Sequence, residues 1–463
     1  MSKKKIFVLL PDGVGLRNFV YSNFYEIGKQ EYDIVFWNNT PFDLTELNYP
    51  EIKFEKPVLH PFTDVFKNGI IQASLTKNSK IENDTVYDNY RFEPNTSGLK
   101  NKLKNTVVSF LNSNYSNQNG IIGLRNQINK WERSTSFYKK CRAILESEMP
   151  DFIFCTNQRQ SIAIAPLLAA TDLGIPTATF IFSWDNLPKA TMVVQTDFYY
   201  VWSQHMKHEL LHYHPEIHEN QIKVTGTPQF EPHFDASIFL DRDLFFKTYG
   251  LDTNKKYICY SGDDITTCPD DEVYLNDVAK AVTELNQKGA NLGIIFRRSP
   301  VDFSSRYDST LEEFKDIIVS INPDWDKIGD GWNTIIPKPN DNSVLVNTIR
   351  HSELVINLGS SMVFDFAIFN KPCLYINYDV NNKKDKDWSV RKIYEFVHFR
   401  SMPSKEAVMW ISDSKAIPNI VEKALAENST INQSTNWFEK ITEQPANKAS
   451  ERIWNEIKNV LNG

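Results

Sequence analysis

The 463-residue sequence is 41% hydrophobic and 24% charged, ample apolar material but more chain than one core usually organises, so two large domains are expected. Its net charge of -7 is spread along the chain, which argues against a general attraction to nucleic acid or to an anionic membrane. No stretch approaches the roughly 20 apolar residues of a bilayer span, and Cys141, Cys155, Cys259, Cys268 and Cys373 form no CxxC pair, so a cytoplasmic protein with neither a disulfide framework nor a thiolate zinc site is expected.

The chain starts MSKKKIFVLL, and the apolar run Ile6 to Leu10 stops at Pro11-Asp12-Gly13. That is too short for the core of a signal peptide and reads as a first buried strand. Strand-like runs follow at 32–39, 151–157, 176–184, 198–203 and 222–225, with helical stretches between them. IFVLL, DFIFC and TATFIF are continuously apolar rather than alternating, the pattern of strands buried on both faces of a parallel, doubly wound sheet. Between 54 and 119 the pattern weakens into polar sequence rich in Asn, Ser and Lys, which predicts an irregular insertion; helical periodicity returns over 121–148.

Gly226-Thr227-Pro228-Gln229-Phe230-Glu231-Pro232 has the punctuation of an interdomain hinge, placing a boundary near Asp235. The αβ rhythm then restarts, with strands at 257–261, 292–297, 334–337, 354–357 and 373–378 and helices at 271–288 and 343–351. The fold class is therefore α/β with two Rossmann-like domains, 1–235 and 236–463, their parallel sheets expected to face each other across a cleft. The sequence after 404 is helical in composition, and 446–461 suits a last helix packing back on the first domain.

The strongest local signal is the apolar strand Leu354 to Asn357 followed by Leu358-Gly359-Ser360-Ser361 and a helix carrying Asp365. Backbone N–H groups at such a turn suit a diphosphate, with Ser360 and Ser361 adding hydroxyl donors and Asp365 able to accept from ribose hydroxyls, although a serine-capped βα turn is equally compatible. Gly262 and Asp263 follow the first strand of the second series and Arg297 ends the next, so their side chains can converge with Gly359 on one ligand. A surface ion pair is the competing fate of Arg297. In the first series Pro11-Asp12-Gly13-Val14-Gly15-Leu16-Arg17 lacks the third glycine of a dinucleotide fingerprint, but places Asp12, Gly13 and Arg17 beyond a strand end. Ser183-Trp184-Asp185-Asn186 does the same for Trp184 and Asp185, and either aspartate could serve as a general base on an acceptor hydroxyl.

His208-Glu209-Leu210-Leu211-His212 matches H-E-x-x-H, with His218 at the third-ligand position of the longer zinc signature. Pro215 stands where that signature has a glycine, and the flanking strands continue an α/β sheet, so a histidine-rich surface helix is expected and no metal.

Val224-Thr225-Gly226-Thr227-Pro228 with Phe230, then Arg297, then NLGSSMVFDFAIFNKPCLYINYD together resemble GT-B transferases of bacterial surface polysaccharides. The last run is particularly similar to CDP-glycerol glycerophosphotransferases, and more loosely to UDP-N-acetylglucosamine 2-epimerases. The resemblance covers mainly residues 150–380. It implies a nucleotide-sugar as substrate rather than a cofactor, bound by the second domain near Gly359, Ser360 and Ser361, and a glycan or lipid-linked acceptor held by the first. Arg298-Ser299-Pro300 stands where glycerophosphotransferases carry a histidine-proline pair, which argues against polyol-phosphate transfer, and the E-x7-E pattern of many retaining enzymes is not evident. The expected activity is sugar transfer to a surface glycan or lipid-linked acceptor at the cytoplasmic face, with peripheral association with the inner membrane left open. A same-fold epimerase, a zinc peptidase on His208, His212 and His218, and a non-catalytic nucleotide-sugar-binding assembly protein are the alternatives.

Overall fold

Strands that are apolar at every position are stable only where both sheet faces are covered. In the computed structural model, which describes residues 3–91, 95–329, 335–427 and 431–462, two such sheets form. By contact the chain divides into one unit of Met1–Pro228 with Phe396–His398 and Ile441–Gly463, and a second of Gln229–Glu395 with Phe399–Lys440.

The first unit holds β1 (Lys5–Leu10), β2 (Asp33–Asn38), β3 (Glu51–Lys53), β4 (Phe152–Cys155), β5 (Thr177–Phe180), β6 (Phe198–Val201) and β7 (Ile222–Val224). All are parallel, in the order β3-β2-β1-β4-β5-β6-β7. Its helices are α1 (Phe24–Gly28), α2 (Thr63–Glu82), α3 (Gly98–Tyr115), α4 (Gln118–Glu132), α5 (Ser136–Glu148), α6 (Ile164–Asp172) and α7 (Gln204–Tyr213). Phe7, Leu9, Ile153 and Cys155 bury one sheet face against α4, α5 and α6.

The second unit contains α8 (Arg242–Tyr249), β8 (Lys256–Ser261), α9 (Asp271–Gln287), β9 (Leu292–Arg297), α10 (Asp308–Glu313) and β10 (Ile318–Ser320). After the ribbon strands β11 (Trp325–Lys327) and β12 (Ile335–Pro337) come α11 (Asp341–Arg350), β13 (Val355–Asn357), α12 (Met362–Ile368) and β14 (Cys373–Ile376). Then follow α13 (Val390–Glu395), β15 (Met409–Ile411), α14 (Ile417–Ala426) and α15 (Ile431–Ile441). Its parallel sheet has the order β10-β9-β8-β13-β14-β15, packed on α9 and α14 through Ile258, Tyr274, Val278, Leu374 and Val421.

The predicted strand at 334–337 is present as β12, but it pairs antiparallel with β11 in a separate ribbon rather than joining the parallel sheet; Thr334 lies outside the described residues. The irregular insertion expected over 54–119 is instead built on α2 and α3, with 92–94 outside the described residues. The buried side of α2 includes Gly69, Ser74, Lys77 and Asn78, so it shows no apolar stripe in the sequence. It is still fixed locally: Asn83 takes a left-handed conformation (φ 49°) at its end, and a Cβ on Gly69 would lie 2.6 Å from Leu111 of α3.

The last helix, α16 (Ala449–Asn462), belongs to the first unit. Trp454 stacks on Phe24 with centroids 4.6 Å apart and donates its indole N–H to the Phe24 carbonyl at 2.8 Å. A side chain on Gly28 would collide with it, since a Cβ there would come within 2.2 Å of the indole.

Candidate functional site

Each sheet has a topological switch point, the place where successive connections leave in opposite directions and loops diverge to leave a crevice. In the first sheet it lies between β1 and β4, with Leu9 opposite Cys155. The loops after Leu10 and Cys155 therefore emerge side by side, and their polar residues interlock. Asp12, buried at 4% exposure, accepts from Asn157 Nδ2 at 2.8 Å and Gln160 Nε2 at 2.6 Å. Burial pushes its carboxyl above the ordinary aspartate range, against Gln160, the Arg159 charge, the Val14 amide and Asn157, which all favour the anion. Gly13 is buried beside it, and Arg17 is half-buried in the helical turn Leu16–Val20.

Gln158 extends this network to the loop after β5. Its Nε2 donates to Asn186 Oδ1 at 2.9 Å and its Oε1 accepts from the Phe182 amide at 2.9 Å. Asp185 is next in the chain, ion-paired through Oδ2 with Lys189. Although burial opposes it, the charges of Lys189 and His398 and the hydrogen bonds of Lys189 and Ser183 hold its carboxyl well below the usual range. Trp184 is buried and meets His398 edge-on at 4.8 Å, so its ring is packed rather than offered as an open platform. His398 takes a 3.2 Å contact from Tyr90 to Nδ1, and burial lowers its pKa to about 3 despite the Asp185 charge.

Asn157, Gln158, Arg159 and Gln160 were not singled out in the sequence. The available signal was position, a run of five polar residues, Thr156 to Gln160, directly after the apolar strand DFIFC.

In the second sheet the switch point lies between β8 and β13, where Val355 pairs with Cys259 and Ile356 with Tyr260. The turn after Asn357 is held from inside: Ser360 donates its amide to Asn357 Oδ1 at 3.0 Å, Tyr375 donates its hydroxyl to the Ser360 carbonyl at 2.9 Å, and Gly359 adopts φ +68°. Ser360 Oγ accepts from the Met362 amide at 3.3 Å, and Ser361 stands half-buried at the start of α12. Beside it, the turn after β8 is held by Asp271, which accepts from Tyr307 at 2.5 Å, Tyr260 at 2.8 Å and the Asp263 amide at 3.2 Å. Burial, and then the Asp271 charge, push Asp263 upward. A Cβ on Gly262 would come 3.0 Å from Asp271 and Tyr307.

Two expected donors or acceptors are already engaged. Arg297 is not extended from its strand end; it is 5% exposed and donates through Nη2 to Asp341 Oδ1 at 2.9 Å. The same carboxylate accepts the Asp324 amide at 3.0 Å and the Trp325 indole at 2.8 Å. Asp365 points inward to His233, whose Nε2 lies 2.8 Å from its Oδ1 without the alignment of a hydrogen bond. The structure thus brings Gly262, Asp263, Gly359, Ser360 and Ser361 to one rim and commits Arg297 and Asp365 to interior partners.

The histidine segment does not assemble a metal site. His208 is exposed, His212 contacts Glu82 at 2.9 Å, and among the described residues no group of three or more His, Cys, Asp or Glu is gathered as an ion would require.

No family model matches the sequence, and no curated protein matches it. Solved structures do match. UDP-GlcNAc 2-epimerase from Methanocaldococcus jannaschii is 15% identical with a TM-score of 0.51, the match covering 99% of this chain and 100% of that one. S. aureus MnaA, solved with UDP, is 12% identical with a TM-score of 0.51, covering 99% and 97%. A glycosyltransferase from Rickettsia africae is 10% identical with a TM-score of 0.51, covering 99% of each. At such identities the likeness is one of fold, and the fold is that of GT-B proteins, two Rossmann-like units in one chain.

Proposed function

We propose that this protein is a glycosyltransferase that moves a sugar from a nucleotide-sugar donor to a hydroxyl of a surface glycan or lipid-linked acceptor. The observation that supports the donor half is the pairing of β8 with β13, which sets the turns carrying Gly262, Asp263, Gly359, Ser360 and Ser361 next to each other at a switch point. Both turns are held by buried partners, so a phosphate would meet groups already in place. The S. aureus neighbour's UDP makes a nucleoside diphosphate the natural first ligand to test.

The first unit would hold the acceptor. Asp12, its carboxyl raised by burial and oriented by Asn157 and Gln160, is the group suited to take a proton from an acceptor hydroxyl. Asp185, strongly ionised beside Lys189, suits holding a hydroxyl better than removing its proton. Arg297 would act through its hold on Asp341, positioning the rim rather than touching phosphate.

Epimerisation of the donor is the second reading, favoured by the M. jannaschii neighbour. Calorimetric titration of UDP, GDP, CDP, CMP and dTDP, with Ser361→Asp as the control, tests the donor site. Aspartate is a good helix cap, so the variant should fold, yet its charge should weaken phosphate binding at least about tenfold. Binding of none of the five would overturn the reading. Conversion of the donor sugar without acceptor would select epimerisation.

A further inference from the structure

Helix α3 carries apolar residues on both of its sides, Val107, Leu111 and Tyr115 toward the core and Leu99, Leu103 and Phe110 toward solvent. Leu111 fixes its inner side by packing on Gly69 of α2, and Asn101, Asn105 and Asn112 lie half-buried on that side. Asn112 Oδ1 accepts from Thr76 of α2 at 2.8 Å, while Asn101 and Asn105 donate to the Ser97 and Asn95 carbonyls at 2.9 Å. Leu99, Leu103 and Phe110 point the other way, at 87%, 68% and 60% exposure. Their spacing, i, i+4 and i+11, puts all three on one face. Ile81, at the end of the α2 helix on which α3 packs, is also 66% exposed.

The charge of this helix is equally local. Gly98–Tyr115 contains Lys100, Lys102 and Lys104 and no acidic residue, in a chain whose net charge is -7. All three lysines are exposed and form no ion pair among the described residues. At 100° per residue, Lys102 falls on one flank of the apolar stripe and Lys100 on the other.

We propose that α3 is an interfacial helix that seats Leu99, Leu103 and Phe110 in the surface of an anionic bilayer. An apolar stripe flanked by lysines suits that boundary, because the leucines and phenylalanine reach the acyl region while the lysine stems let their ammonium groups rise to lipid phosphates. The helix lies along the surface rather than crossing it, since no helix among the described residues is long and apolar enough to span a membrane. The acidic balance of the whole chain opposes an anionic surface, so attachment falls to an exposed apolar helix that lacks acid. This inference stands apart from the glycosyltransferase reading.

The test is co-sedimentation of the full chain with vesicles of phosphatidylcholine alone or mixed with phosphatidylglycerol, at low and high salt. One variant is Leu99→Ser/Leu103→Ser/Phe110→Ser, and a second, Lys100→Gln/Lys102→Gln/Lys104→Gln, leaves every apolar contact intact. Wild type should pellet with the anionic vesicles, less so at high salt or with phosphatidylcholine alone. Each variant should partition at least about tenfold less while keeping the wild-type circular dichroism. The proposal is overturned if wild type stays in solution with anionic vesicles, or if the lysine variant pellets like wild type. It is also overturned if wild type dimerises without vesicles and the serine variant is monomeric, which would assign the face to a second copy of the chain.

Discussion

Arg297 and Asp341 form a buried ion pair, side chains 6% and 2% exposed, so removing either charge should strand the other where water cannot reach it. Replacing Arg297 with Met leaves the Asp341 carboxylate with the Asp324 amide and the Trp325 indole but no counter-charge. Replacing Asp341 with Asn keeps an oxygen for those donors and strands the guanidinium. Breaking such a pair costs about 3–5 kcal/mol. In a unit of this size that is a fall of about 10 °C in the corresponding calorimetric transition. The double variant Arg297→Met/Asp341→Asn strands neither charge and should be no less stable than either single change, a coupling of at least about 3 kcal/mol. Additive losses, agreeing with the sum to within about 0.5 kcal/mol, would refute the idea that the pair is a closed internal contact. An unchanged transition in Arg297→Met, together with lost nucleotide binding, would refute it more directly and return Arg297 to the ligand.

Trp454→Ala should lower stability by about 3–5 kcal/mol in urea unfolding, because it removes an indole packed on Phe24 and Tyr32 together with its buried hydrogen bond. Gly359→Val should weaken nucleotide binding in calorimetry, since a Cβ there would sit 3.1 Å from Ile393 and Phe399 on backbone at φ +68°; wild-type affinity would show that the turn can relax. His398 is lowered to about 3 by burial, against the Asp185 charge, so between that value and about 6.5 the unfolded chain binds the extra proton. Stability is therefore full above about 6.5 and falls as pH drops, by up to about 1.4 kcal/mol per pH unit for this group. His214 and His351 are also lowered by burial and fall in the same direction, so the readout is the difference between wild type and His398→Gln in melting temperature from pH 6.5 to 5. Equal slopes would refute the assignment.

The parallel sheets were legible because their central strands carry continuous apolar runs such as IFVLL and DFIFC. β8, β9 and β13 fall within one residue of the runs that predict them. Three-residue edge strands such as β3, β10 and β15 carry too few side chains to make a period. Helices α2 and α3 were hidden for a different reason: one buries glycine, serine and asparagine and the other turns Leu99, Leu103 and Phe110 outward while Leu111 faces in, so neither shows the usual single stripe. At the candidate site, position beyond strand ends located Asp12 and the 359–361 turn. It could not reveal that Arg297 folds back onto Asp341, because the partner is 44 residues further on and reaches the strand end only through tertiary packing.

The two switch points differ in the kind of order they hold. In the second unit the rim is fixed by neutral donors and by the Asp271 carboxylate, which accepts from Tyr307 and Tyr260. In the first unit the carboxyl of Asp12 is held by two amide side chains that orient it without neutralising it, while burial raises its affinity for a proton. Asn157→Leu or Gln160→Leu would remove one of the bonds that favour the anion and push the carboxyl further up, so a base at Asp12 would require a higher pH in either variant. On the proposed transferase reading, an acid-base step would fall to the first sheet and charge recognition to the second.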